Sequence, residues 1–80
     1  MAAGIKRIDV HGLNLYQAKV KIDSELRRAG KEVYRLRIIH GYNSGTDIKE
    51  AMAAYVSHPK VLRIAPGSNS GETDIILREL

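Results

Sequence analysis

Apolar and polar positions along the chain follow two rhythms. Ile8 and Val10 alternate with Arg7 and Asp9, the period of a strand, and predict one over residues 5–10 that Gly12 interrupts. Leu15, Ala18, Ile22, Leu26 and Ala29 then recur every three or four positions, giving a helix with one apolar stripe. Asn14 is placed to cap its start and Gly30 to stop it. Alternation returns over residues 33–39, where Leu36 and Ile38 oppose Arg35 and Arg37. A polar turn with glycine near each end, 40–45, follows. Ser44 and Asp47 match a capping box there, although Gly45 or Thr46 also suits the cap position. Ile48, Ala51, Met52 and Tyr55 mark a second helix, ended by His58-Pro59. Strands over 61–65 and 73–80, joined by a loop at 66–71, complete the pattern.

The order βαβαββ favours parallel pairing of the first three strands through right-handed crossovers, and an antiparallel last pair. Sheets buried on both faces carry continuous apolar runs. These strands alternate, so both helices are expected on one face, with the other left open. The expected fold is an α/β two-layer sandwich with a mixed four-stranded sheet.

Eighty residues support one compact core, so 1–80 reads as a single domain with its core at about 5–80. With 44% hydrophobic and 28% charged residues the composition is that of an ordinary globular chain. The absence of cysteine excludes disulfides, a thiolate nucleophile and a cysteine-ligated zinc. No apolar stretch approaches ~18 residues, so neither signal peptide nor membrane span is expected and a cytoplasmic monomer is the default.

The net charge of +4 favours a polyanionic partner, and its placement sharpens that expectation. If Ile8, Leu36 and Ile38 face the core, then Arg7, Arg35 and Arg37 face the other way, with Arg63 and Arg78 joining them from the last two strands. Five of the seven arginines would line one open face, whereas only Lys6 of the six lysines lies in a strand. The arginine fork grips phosphate oxygens in pairs, which suits a nucleic-acid backbone. The competing reading is cross-strand ion pairing with Asp9, Asp74 and Glu79. Without Phe or Trp, only Tyr34 and Tyr42 offer themselves as stacking platforms, so a sequence-specific single-strand reader is not expected.

Asp9-Val10-His11-Gly12 ends the first strand, and His40-Gly41-Tyr42-Asn43-Ser44-Gly45 follows the second. In a parallel pair these ends share one edge, where ligands collect in α/β folds. Asp9 and His11 share a face, and a carboxylate beside an imidazole fixes its tautomer for proton transfer. The 40–45 turn would turn amide N–H groups and a helix start toward an anion, with Lys49 within reach. Plainer roles exist as well. Asp9 can bond turn amides, His11 can be satisfied by Asp9, His40 can bond within its own loop, and Lys49 can point to water. His58 reads as a helix-end residue with no chemical role.

Ile8-Asp9-Val10-His11-Gly12, with Ala18 beyond it, resembles the Leu-Asp-Leu-His-Gly opening of the Smr (small MutS-related) domain. Ile38-Ile39-His40-Gly41 with Gly45 resembles its His-Gly-x-Gly-x-Gly motif, and Gly71-Glu72-Thr73 its closing Gly-x-Thr strand. The resemblance spans about residues 5–80 and implies the βαβαββ sandwich, similar to the C-terminal domain of translation initiation factor three. It further implies an endonuclease or nickase acting on DNA or RNA, in mismatch- or recombination-related or ribosome-associated processing. Asp9 and His11 match the acidic–histidine pair, and His40, Gly41 and Gly45 match the glycine loop. The motif's middle glycine is Asn43 here, the residue that best tolerates a left-handed backbone, and Lys49 stands where the family often has arginine.

The leading expectation is therefore a nuclease needing no cofactor. Arg35, Arg37 and Lys49 hold the backbone, and amides of 40–45 cradle the phosphate. His11, oriented by Asp9, takes a proton, and His40 returns one to the leaving oxygen. Water attack on DNA would instead call on a divalent ion held by Asp9 and His11. The alternative is a non-catalytic module docking on nucleic acid or a ribosome. A small enzyme for phosphate-bearing metabolites fits less well, because so short a chain has little depth for a pocket.

Overall fold

The computed structural model describes residues 4–41 and 45–79, without the side chains at 45–47 and 49. The expectations for Tyr42, Asn43, Ser44 and the side chains of Asp47 and Lys49 lie outside the described residues. The elements are β1 (Ile5–Asp9), α1 (Leu15–Arg28), β2 (Arg35–Ile39), α2 (Gly45–Met52), β3 (Arg63–Pro66) and β4 (Glu72–Ile76), with a 3₁₀ turn, Ala53–Ser57, extending α2.

Local chemistry sets the ends of α1. Asn14 accepts from the Gln17 amide at 2.8 Å and Gln17 accepts from the Asn14 amide at 3.1 Å, a reciprocal capping box that satisfies two donors. At the other end the helix stops as expected before Gly30, but by another device. The C-cap, Ala29, is extended, and Gly30 has no positive φ. The last carbonyls are met instead by Lys60, whose Nζ lies 2.8 Å from the Leu26 oxygen and 3.2 Å from that of Arg27. A cation at a helix C-terminus also complements the helix dipole.

Both helices pack on the same side of the sheet. Ala18, Ile22 and Leu26 of α1, Ile48 and Met52 of α2, and Tyr55 enclose Ile8, Leu36, Ile38 and Ile75 in one buried cluster. Truncating a fully enclosed residue such as Ile38 to alanine costs roughly 2–5 kcal/mol. Lys6, on the helix-facing side at the sheet edge, reaches Glu25 of α1 at 3.2 Å.

The sheet order is β1-β2-β4-β3, with β1 and β2 parallel and β4 antiparallel to both its neighbours. The first three strands therefore run the same way, but β3 does not pair with β2 as the sequence suggested: β4 lies between them. Burial explains the order. Thr73, Asp74, Ile75 and Ile76 are buried in succession, as a central strand requires, whereas β3 exposes Arg63 and ends on Pro66, which cannot donate to a ladder. Among the described residues no helix is long and apolar enough to cross a membrane.

Candidate functional site

The parallel ladder sets Asp9 against Ile39, and the Val10 amide donates to the Ile39 carbonyl at 2.9 Å. The two chain segments therefore leave the sheet together. Gly12 (φ +80°) and Gly41 (φ +85°) turn them through the left-handed region that side chains resist. At Gly41 a Cβ would lie 3.5 Å from the Cβ of His11, so the second turn passes directly beside the histidine.

Asp9 holds His11 twice. One carboxylate oxygen, Oδ1, accepts the His11 amide at 3.1 Å and also the ring Nδ1. A carboxylate only accepts, so Nδ1 carries the proton and Nε2 of the neutral ring presents its lone pair. Both side chains are more than half exposed. The hydrogen bond from the His11 ring, with that from its amide, holds the Asp9 carboxyl below its ordinary range. Lys21 of α1 ties this end down by donating to the Asp9 carbonyl at 2.8 Å.

His40 lies beside this pair but inside the protein, 1% exposed. Its Nδ1 faces the Gly41 carbonyl at 3.0 Å, and a carbonyl can only accept, so Nδ1 is the protonated nitrogen; Thr73 then donates to Nε2 at 2.9 Å. The amides of His40 and Gly41 both donate to the Gly71 carbonyl at 3.0 Å. With both ring nitrogens engaged and no solvent access, His40 does not reach a leaving oxygen in this geometry. The expected proton donor is here a residue that anchors the turn. Its predicted bond within its own loop, the plainer role, is present.

The open face carries the arginines, but not as a free phosphate grip. Arg37 clamps the fully buried Asp74 with Nε and Nη2, both at 3.1 Å, and Arg35 Nη1 meets the same carboxylate at 2.8 Å. Glu72 stands 3.7 Å from Arg37, and Arg63 binds Glu79 at 2.7 Å. The hydrogen bonds to Asp74 raise the Arg37 guanidinium above its ordinary value. Ion pairing thus occupies three of the five arginines expected as phosphate ligands. Among the described residues, Arg7 and Arg78 are exposed and form no ion pair. Arg78 lies past the end of β4, whereas Arg7 sits two residues from Asp9 on the same face.

Glu72, Thr73, the Gly71 carbonyl and Lys21 complete the site and were not singled out as site residues by sequence. Only Gly71 and Thr73 had a signal, as members of the closing motif. Among the described residues no group of three or more histidine and acidic side chains comes together to hold a metal ion.

No family model matches the chain, and no curated protein does. The fold, in contrast, superimposes on the crystal structure of the Smr domain of Thermus thermophilus MutS2 with a TM-score of 0.79 and 25% identity, covering 92% of this chain and 99% of that one. The chain has the Smr fold. In this chain the three short segments that resemble the family meet at one sheet edge. Asp9–His11 stands beside Gly41, and His40 and Gly41 hang from Gly71 and Thr73.

Proposed function

We propose that this Smr domain binds nucleic acid and cuts its phosphodiester backbone, with His11 as the proton-transferring group. The observation that carries the reading is the Asp9–His11 pair: the carboxylate holds Nδ1, leaving Nε2 exposed at the edge where β1 and β2 end. This is the arrangement a general base requires.

On RNA, His11 Nε2 takes the 2′-hydroxyl proton and the 2′-oxygen attacks the adjacent phosphorus. The bond from phosphorus to the 5′-oxygen breaks, and water supplies the proton that completes the 5′-hydroxyl. The products are a 2′,3′-cyclic phosphate and a 5′-hydroxyl end. Among the described residues Arg7, exposed beside Asp9, is free to steady the phosphate, while Arg35 and Arg37 contribute only N–H groups not turned to Asp74. His40 positions Gly41 against His11. DNA has no 2′-hydroxyl, so its cleavage would draw on a water nucleophile and a divalent ion at Asp9 and His11.

Incubating the pure domain with end-labelled RNA and DNA in EDTA tests this. Cutting of RNA that disappears in His11→Ala supports it, and cutting that occurs only on metal addition refutes the metal-free route. A second reading, a module that docks on nucleic acid or a ribosome without cutting, is favoured by the burial of His40, which leaves His11 as the exposed histidine at this edge. It predicts that His11→Ala changes neither affinity nor product.

A further inference from the structure

The first turns of α1 depart from what a helix start ordinarily prefers. Its first turn contains no acidic residue, although acids are favoured there by the helix dipole. Lys19 and Lys21 follow, both exposed, and the first acid is Asp23. On the same stretch Tyr16 is 77% exposed and Val20, one turn later, 50%. Neither serves the core, which takes Ala18 and Ile22 from the opposite side of the helix.

This surface adjoins the Asp9–His11 pair. Five residues separate His11 from Tyr16, and they fold tightly. The Leu13 amide donates to the Val10 carbonyl at 3.1 Å, and the helix is capped at Asn14. Helical side chains lean toward the N-terminus, so Tyr16 leans toward the turn that leads back to His11. Lys21 binds the Asp9 carbonyl and joins the helix to the pair from the other side.

An exposed aromatic ring and two exposed lysines, at a helix start whose first turn has no acid, are complementary to one kind of partner: a strand whose phosphates are anionic and whose bases have free faces. A duplex keeps its bases stacked on each other and has none to offer. We infer that Tyr16 is a stacking platform for an unpaired base next to the phosphate at His11, and that Lys19 holds the neighbouring phosphate. The domain thereby prefers single-stranded nucleic acid. This rests on the nucleic-acid-binding part of the proposed function and not on cleavage.

The test compares affinities, by fluorescence anisotropy, for a labelled unstructured RNA strand, a duplex, and an abasic strand of the same length. The proteins are the intact domain, Tyr16→Phe and Tyr16→Ala. Stacking predicts that Tyr16→Ala weakens single-strand binding roughly 5- to 100-fold while duplex binding stays the same, and that Tyr16→Phe binds as the parent does. The abasic strand should bind the parent as weakly as the intact strand binds Tyr16→Ala. Because the ring is exposed, the thermal unfolding curve of Tyr16→Ala should overlay that of the parent. A parent that binds and cuts RNA, with Tyr16→Ala binding the single strand equally well, overturns the platform and leaves the nuclease standing. Loss of single-strand binding in Tyr16→Ala, with no cleavage by any variant, supports the platform and removes the nuclease. A parent with no affinity for any strand overturns both.

Discussion

Thr73 donates its hydroxyl proton to Nε2 of His40 at 2.9 Å, inside the protein and next to the exposed Asp9–His11 pair. Two histidines at one sheet edge thus have opposite environments: one is enclosed and fully bonded, the other held by one nitrogen and open at the second. Removing the hydroxyl isolates a buried acceptor. Thr73→Val should therefore lower the unfolding free energy by roughly 1–3 kcal/mol in urea titration, and Thr73→Ser should restore most of it.

Asp74 is the shared anchor of Arg35 and Arg37. Asp74→Asn keeps the shape but removes the charge, leaving two half-buried cations facing each other. We expect a loss of about 3 kcal/mol, the low end for a broken buried pair, because both guanidiniums keep some contact with water. The same change frees the arginines for phosphate. A less stable protein should then bind RNA more tightly, with a steeper dependence on salt, as anisotropy at several ionic strengths will show.

The Asp9 carboxyl titrates below the ordinary value of about 3.9 because His11 bonds the ionised form. A depressed folded-state pKa means that the stabilisation is fully present above the ordinary value and is lost as pH falls below it, through the folded-state value. The carboxyl carbon of Asp9, followed by NMR, should show a midpoint below 3.9. In His11→Ala, which removes the ring bond, the midpoint should move upward.

Gly12 and Gly41 test the turns. Nothing lies within 4 Å of a Cβ at Gly12, and at Gly41 the nearest atom is at ordinary contact distance, so the penalty for a side chain is the positive φ itself. Each glycine-to-alanine change should cost about 1–2 kcal/mol in chemical denaturation, and each asparagine less.

The half of the site built from local sequence was readable before any coordinates. Alternation in β1 and β2 set which residues face the helices, and a parallel crossover placed the two strand ends together, so His11 beside Gly41 followed. What did not follow depended on strand order. Asp74 shares the arginine face by parity alone, but whether it meets Arg37 depends on β4 lying beside β2. The four consecutive buried residues of β4 and Pro66 of β3 carried that information, and topological preference for parallel neighbours outweighed them. The enclosure of His40 was hidden for a related reason, since its second partner, Thr73, comes from the same inserted strand. Tyr16 was passed over because a helical stripe marks what packs inward and leaves outward residues to solvent.

The central claim is that His11, held by Asp9, moves the proton during backbone cleavage. Its most direct test is end-group analysis of RNA incubated in EDTA with the domain and with His11→Ala, at protein concentrations that give equal binding. The account predicts 2′,3′-cyclic phosphate and 5′-hydroxyl ends from the intact domain, and uncut, fully bound RNA from His11→Ala. Equal cleavage by both proteins, or 5′-phosphate ends, would contradict it.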